Sequence, residues 1–364
     1  MLCCGCRSFR FVSRAALKRL AILLVTLVLA LCWCWWAMIR MPGTSYSGPL
    51  PPLSQSQSAL SAQLHRDVDF LATTIGQRNV RYPDGLSRAV EFLDRSLREM
   101  GYAVQRQEFN SFGTSVCNLE VEVAGVNKPD EIVVIGAHYD SVDDSPAAND
   151  NGSGAAATLA LARMFAPSAA GRDGGPSALR AAAPDRTIRF VLFVNEEPPF
   201  FKTADMGSLV YARRCAERGE KIVGMLSLET IGCYSDQPGS QQYPVKPIGW
   251  LYPDRGNFIA FVGNYRSRAL VRQAIGSFRT SAQFPSEGAA LPGWITGVDW
   301  SDHWSFWQAG YPALMITDTA LFRYPHYHQD TDTADRLEYD RMARVVEGLK
   351  AVTDDLARVN VWNK

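Results

Sequence analysis

Five short runs rich in β-branched and large apolar residues punctuate the chain: VCNLEVEVAG (116–125), EIVVIGAHY (131–139), TIRFVLFVN (187–195), KIVGMLSLE (221–229) and PALMITDT (312–319). Runs of this length and composition read as strands, and their near-continuous apolar character predicts burial on both faces. Segments with apolar residues at helical spacing lie between them. SRAVEFLDRSLREMGY (87–102) closes on a glycine that suits a helix stop. SGAAATLALARMF (153–165), MGSLVYARRCAER (206–218) and a closing stretch over 338–359 read as helices too. Strands alternating with helices predict an α/β fold, a mostly parallel mixed central sheet with helices on both faces.

A different pattern precedes this region. Leu20 to Ile39 carries no charged residue and matches the roughly 20 residues that span a bilayer. Arg7, Arg10, Arg14, Lys18 and Arg19 stand before it; after Arg40 no Lys or Arg occurs until Arg66. That asymmetry predicts a cytoplasmic tail (1–19), a transmembrane anchor in the lipid bilayer (20–39) and export of everything beyond, to the periplasmic or extracellular side. A cleaved signal peptide is the rival, but the apolar stretch exceeds a usual h-region and no small-x-small site follows. Residues 40–58, rich in Pro, Gly and Ser, are expected as a flexible stalk. A folded domain is expected over 59–364, interrupted by a low-complexity surface insertion at 166–186.

Composition narrows the function classes. Lys+Arg and Asp+Glu are both 37, so no basic excess points to nucleic acid. Of the 8 cysteines, only Cys117, Cys215 and Cys233 lie beyond the anchor, without CxxC spacing. That argues against a cysteine zinc site and leaves room for one disulfide.

In an open α/β sheet, sites form at the carboxyl ends of the strands. Here those ends deliver His138, the pair Glu196-Glu197, and Glu229, while Asp150 sits in a Gly/Asn-rich turn before a helix. A late polar cluster, YPHYHQDTDTADRL (324–337), follows the last strand. Imidazoles and carboxylates gathered on one sheet edge are the donor set for a zinc-like ion. Each piece alone has a plainer reading: a strand-end histidine in a hydrogen bond, Asp140, Asp143 and Asp144 as turn formers, NDNGSG as a helix cap. Adjacent residues of extended chain point to opposite sides, so Glu196 and Glu197 need different partners. Pro198-Pro199 makes a simple solvated strand or helix improbable there.

GAHYDS (136–141), AANDNGSGAAATLALAR (147–163), NEE (195–197), SDHWSFWQAGYPAL (301–314) and YHQDTDTADRL (327–337) occur in this order. Together they resemble the signature segments of the zinc-dependent aminopeptidases, the family of secreted bacterial aminopeptidases, aminopeptidase Y and glutamate carboxypeptidase. The resemblance covers roughly residues 60–360. It implies a zinc exopeptidase fold and two divalent metal ions, zinc, held by His138, Asp150, Glu197, Glu229 and His328, with Asp150 bridging. It implies Glu196 as general base toward a metal-activated water, Tyr327 as a donor to the developing oxyanion, and Asp302 as an orienting group. His328 is preferred to His326 because the family spacing is His-x-x-x-Asp-Thr. The family usually has aspartate where this chain has Glu229. The implied activity is removal of N-terminal residues from peptide substrates. A glutaminyl-peptide cyclotransferase using one zinc, and a non-catalytic peptidase-like ectodomain, are the alternatives. The HQDTDTADRL ending favours the peptidases over the first, and four matching ligand positions plus a carboxylate at the fifth speak against the second.

Overall fold

A computed structural model of the chain describes residues 13–166 and 183–358. Most of the basic tail, with Cys3, Cys4 and Cys6, and most of the 166–186 insertion lie outside the described residues. The chain divides into two compact units, Met1–Arg40 and Met41–Lys364.

In the first unit, helix α1 (Arg14–Cys34) starts at Ser13, whose hydroxyl accepts the Ala16 N–H, and continues as a π-helical turn through Ile39. Arg14–Ile39 is long and apolar enough to cross a membrane. By length and composition a signal sequence would pass the same test.

The second unit begins at Met41, ahead of the boundary expected from composition. Residues 41–53 form neither helix nor strand, but their backbone is taken up by the domain. Arg279 donates to the carbonyls of Pro42 and Gly43, Ser45 Oγ accepts the Ser286 N–H at 2.9 Å, and Arg344 donates to Pro51 O. A Pro- and Ser-rich segment has no internal backbone pairing, which leaves its carbonyls open to such donors. Ser54 and Gln57 then form a capping box that opens α2 (Gln55–Asp69), followed by α3 (Pro83–Glu99).

Eight strands form one mixed sheet: β1 (Gln105–Ser111), β2 (Thr114–Val123), β3 (Lys128–His138), β4 (Arg186–Phe193), β5 (Lys221–Leu228), β6 (Ile259–Gly263), β7 (Ser286–Ala290) and β8 (Ala313–Thr317). Their order is β1-β2-β4-β3-β5-β8-β6-β7. The four central strands β4, β3, β5 and β8 are parallel. β1 and β2 are antiparallel, β2 runs antiparallel to β4, and β6 runs antiparallel to β8.

Alternation along the central strands builds two apolar layers. Val133, Ile135 and Ala137 of β3, with Ile188, Phe190 and Leu192 of β4, join the larger core. That core includes side chains of α2, α3, α4 (Gly154–Met164), α6 (Arg268–Ser281) and α8 (Tyr339–Ala357). Ile132, Val134, Val191 and Phe193 point the other way, toward Tyr211 and Cys215 of α5 (Gly207–Glu217) and Phe306 of α7 (His303–Gln308). Helices therefore cover both faces, as the apolar runs require. Cys117, Cys215 and Cys233 are unpaired thiols; the disulfide allowed by the sequence is not formed.

Candidate metal centre

The carboxyl ends of β3, β4 and β5 converge with the turn before α4 and the loop after β8. His138 is the last residue of β3 and is fully buried. Its Nε2 lies 3.3 Å from Asp150 Oδ1, 3.4 Å from Glu229 Oε2 and 3.8 Å from Glu196 Oε2. The other oxygen of Asp150 serves a second group: His328 Nε2 is 2.9 Å from Asp150 Oδ2 and 3.2 Å from Glu197 Oε2. Two triads result, His138–Asp150–Glu229 and Asp150–Glu197–His328, each with its donor atoms within 4.8 Å of one another. Asp150 belongs to both.

A frame of hydrogen bonds positions these side chains. Asp140 accepts the backbone N–H groups of Glu196 and Glu197, both at 3.2 Å, and so fixes the turn that separates the two glutamates. Asp332 accepts the N–H groups of Asn149 at 2.9 Å and Asp150 at 3.1 Å, and Tyr324 donates to it in turn. Asn151 bridges from the α4 turn to β5, donating to Leu228 O and accepting from Gly154 and Thr230. Ser301 donates to Glu229 Oε2 at 2.8 Å. Arg78, entirely buried, donates to the carbonyls of Tyr139, Pro146 and Ala147, tying the His138 strand exit to the Asp150 turn. Burial pulls its pKa down to about 10, and the nearby carboxylates of Asp140, Asp332, Asp150 and Glu197 oppose that.

Backbone strain concentrates here too. Ala147, Asn195, Thr230, Thr319 and His328 all have positive φ, which for non-glycine residues, β-branched threonine above all, costs free energy and recurs at functional sites. The Asp150–Asn151 peptide is cis.

The electrostatics suit a cation. Both ring nitrogens of His138, both carboxylate oxygens of Asp150, Glu197 Oε1 and His328 Nε2 are buried without a hydrogen-bond partner. Orphaned buried polar atoms are costly, and here they face one another. Burial pushes Glu197 and Glu229 up to about 7 and Glu196 well above the carboxylate range; the charge of Asp150 adds to this at Glu197, while His138 opposes it at Glu229 and Glu196. Burial disfavours the charged form of His328, yet the carboxylates of Asp150 and Glu197 beside it outweigh that and raise it to about 11. A nitrogen-and-oxygen donor set this acidic fits divalent zinc.

Glu196 and Asp302 stand outside both triads. Asp302, buried at the start of α7, has neither carboxylate oxygen hydrogen-bonded; burial and then the neighbouring His138 set its pKa, at about 7. Tyr327 stacks on His328 with ring centroids 4.0 Å apart. His326 instead pairs with Thr331 at 2.8 Å, and lies in neither triad. The structure brings the five residues expected as ligands together in the two triads, whereas nothing in the sequence predicted the frame around them. Asp140 and Asp332 were visible in GAHYDS and HQDTDT, but nothing local distinguishes a carboxylate that binds backbone N–H groups from a turn former. Arg78 and Ser301 carried no signal.

A cavity opens beside the centre, with about 880 Å³ of empty volume, part of it open to solvent. Glu229 and Tyr327 border it on the metal side, and Phe258, Ile295, Met315 and Phe322 contribute apolar wall.

This architecture is that of the zinc exopeptidases. The fold matches a zinc aminopeptidase from Bacillus subtilis with a TM-score of 0.61 at 14% identity, covering 84% of this chain and 96% of that one. It also matches the glutaminyl cyclase of Fimbriiglobus ruber, with a TM-score of 0.56 at 20% identity, covering 85% and 98%. Fold alone does not separate the two chemistries. The sequence is more specific: residues 118–353 match the model of peptidase family M28, and the chain belongs to that family. It is therefore a metallopeptidase, a hydrolase of peptides. The protein YfbL of Escherichia coli K12 is 38% identical over 304 residues, 81% of this chain and 88% of that protein. Leucine aminopeptidase 1 of Arthroderma otae is 28% identical over 236 residues, 63% of this chain and 55% of that enzyme. The chain thus spans about half the length of the fungal aminopeptidase.

Proposed function

We propose that the chain is a membrane-anchored, zinc-dependent aminopeptidase that removes N-terminal residues from peptides. The observation that carries this is the sharing of Asp150, whose two oxygens serve two separate triads. His138, Asp150 and Glu229 would hold one divalent ion, and Asp150, Glu197 and His328 a second. Zinc ions bound there would supply Lewis acidity to the peptide carbonyl and acidify the attacking water.

The remaining steps belong to side chains. Glu196 projects beside both triads without joining either. Buried and raised in pKa, it is suited to take the proton of the attacking water and return it to the leaving amine. Tyr327 donates its hydroxyl to the oxygen on which charge develops. Asp302 orients the His138 side of the site. The cavity beyond Glu229 receives the N-terminal side chain, and its apolar walls favour an apolar one.

In this reading residues 20–39 anchor the chain in the bilayer, residues 1–19 stay in the cytoplasm, and the catalytic unit faces the periplasm or the exterior. Leucine p-nitroanilide and a glutaminyl fluorogenic amide, each with and without a chelator, test the activity. Metal-dependent cleavage of the first is expected. Ammonia release from the second alone would instead establish a cyclase. The Glu196→Gln variant is expected to hold its metal and lose nearly all turnover; retained turnover would overturn the role of Glu196.

A further inference from the structure

Two tryptophans of the second unit stand almost fully in solvent: Trp250 is 82% exposed and Trp294 84%. Neither is isolated. Val245, Leu251, Trp300 and Leu321 are each more than a third exposed. Trp300 and Leu321, with Ile248 and Ile295 from the two tryptophan loops, line the cavity beside Glu229. Trp250 and Leu251 follow Ile248, and Trp294 precedes Ile295, so the exposed side chains neighbour cavity-lining residues along the chain. Scattered apolar residues on a surface are ordinary, whereas a contiguous set around a pocket marks a face that something covers.

The covalent chain indicates what. Both loops are attached at β7. Tyr252, two residues beyond Trp250, donates its hydroxyl to Gly288 O at 2.8 Å, and Trp294 follows the end of β7 at Ala290 by four residues. Gly288 also receives Met41, since a Cβ on this glycine would lie 2.9 Å from Met41 Cγ. Met41 is only two residues beyond Ile39, the last residue of the apolar helix. Two residues of extended chain reach about 7 Å. The linker is therefore short enough for a bilayer that holds that helix to bring its headgroup layer to the β7 edge. Tryptophan, with a large apolar body and one N–H donor, is the side chain that favours that layer. Lys246, exposed on the turn before Trp250, adds a cation for anionic headgroups.

We infer that the Trp250 and Trp294 loops form a lipid-contacting rim, seated in the headgroup layer of a phospholipid bilayer, that holds the mouth of the cavity at the membrane surface. The inference rests on the anchor reading given above. Peptides adsorbed to that surface, or tethered to it, would then meet the site without leaving it.

The test uses the full chain in vesicles of phosphatidylethanolamine and phosphatidylglycerol, with the photoreactive p-benzoylphenylalanine placed at position 250, 294 or 112. Phe112 is as exposed as the two tryptophans, at 81%. It lies in the hairpin at the opposite edge of the sheet, about 30 Å away at the usual strand spacing. Lipid adducts at 250 and 294 at least ten-fold above those at 112 are expected by mass spectrometry. Equal adducts at all three positions, or none at 250 and 294, overturn the rim while leaving the anchor intact. Protein–protein adducts at 250 and 294 in place of lipid ones overturn it in favour of self-association. Release of the chain from the vesicles by alkaline carbonate overturns the anchor, and the rim with it.

Discussion

Ser301 donates its hydroxyl to Glu229 Oε2 at 2.8 Å, and the same hydroxyl lies 2.7 Å from Ser227 Oγ on β5. Glu229 stands where the family usually has aspartate, one methylene shorter. The extra length is met by a dedicated donor that aims the carboxylate at His138. The departure from the family pattern thus comes with its own support, and the His138 triad remains complete.

Removing that support should loosen one half of the centre. Hydrogen bonds to metal-binding carboxylates are commonly worth 10- to 100-fold in metal affinity. Ser301→Ala is expected to weaken binding of one ion by about 10-fold, read by titration against a chromophoric chelator. Glu229→Asp should weaken it as well, because the shorter side chain withdraws from both Ser301 and His138. Tighter binding in Glu229→Asp would show that Glu229 is a poor substitute for aspartate.

Asp140 holds two backbone N–H groups, and its Oδ1 also lies 3.4 Å from His138 Nδ1. In Asp140→Asn one acceptor oxygen becomes a donor, so either Glu196 or Glu197 loses its anchor. An unsatisfied buried N–H costs about 1–3 kcal/mol, and the expected effect is a fall in kcat of about 10- to 100-fold. Metal analysis of the purified variant separates the two glutamates. Full metal content with low kcat means Glu196 has drifted, whereas lost metal means that Glu197, or His138 beside Asp140 Oδ1, has.

His303 supplies a pH dependence away from the triads. It is fully buried, its Nε2 donates to Val298 O at 2.8 Å, and burial pulls its pKa down from 6.5 to about 4. The unfolded chain therefore takes up this proton first, and stability falls as pH drops from above 6.5 through 4. The full shift corresponds to about 3 kcal/mol. Urea unfolding at pH 7.5 and pH 5 should show a smaller pH difference for His303→Gln than for the parent chain. The comparison cancels the contribution of the metal-binding residues, and equal slopes would contradict the burial of a neutral imidazole.

Gly154 opens α4 where the helix presses on β5. A Cβ there would lie 2.2 Å from Leu228 O and 2.3 Å from Asn151 Oδ1. Gly154→Ala should destabilise the fold by about 1–3 kcal/mol, the usual range for overpacking, and should displace Asn151. A lowered melting temperature together with weaker metal binding is the expected pair of results.

Strands β2, β3, β4, β5 and β8 were legible because burial writes a continuous apolar run, and the ends of β3, β4 and β5 pointed to the site. Three strands were not. β1 reads QRQEFNS, an exposed edge with little apolar content. β7 reads SEGAA and lacks β-branched residues, because Ile275 of α6 packs where a side chain on Gly288 would stand. β6 is a five-residue run inside a long loop region. At the site, metal-binding residue types advertise themselves by chemistry, whereas Asp140, Asp332 and Arg78 act through backbone groups that no sequence pattern displays. The 41–53 segment misled for a similar reason: its Pro and Ser content describes what it cannot form internally, and the arginines that hold it lie far along the chain.

The frame around the triads is made of protein groups: carboxylates on amide hydrogens, an asparagine bridging to β5, a guanidinium on five carbonyls, and residues held at positive φ. None of these bonds needs an ion. Small zinc domains fold around their metal and fall apart without it. The two triads here are instead framed by protein hydrogen bonds that do not pass through an ion. In the proposed reading, divalent ions could leave and return while the walls stand, and different ions would meet the same atoms in the same places. Which metal would serve the proposed reaction would then be set by supply in its compartment and by the chemistry each ion can do, rather than by which one the chain needs in order to fold.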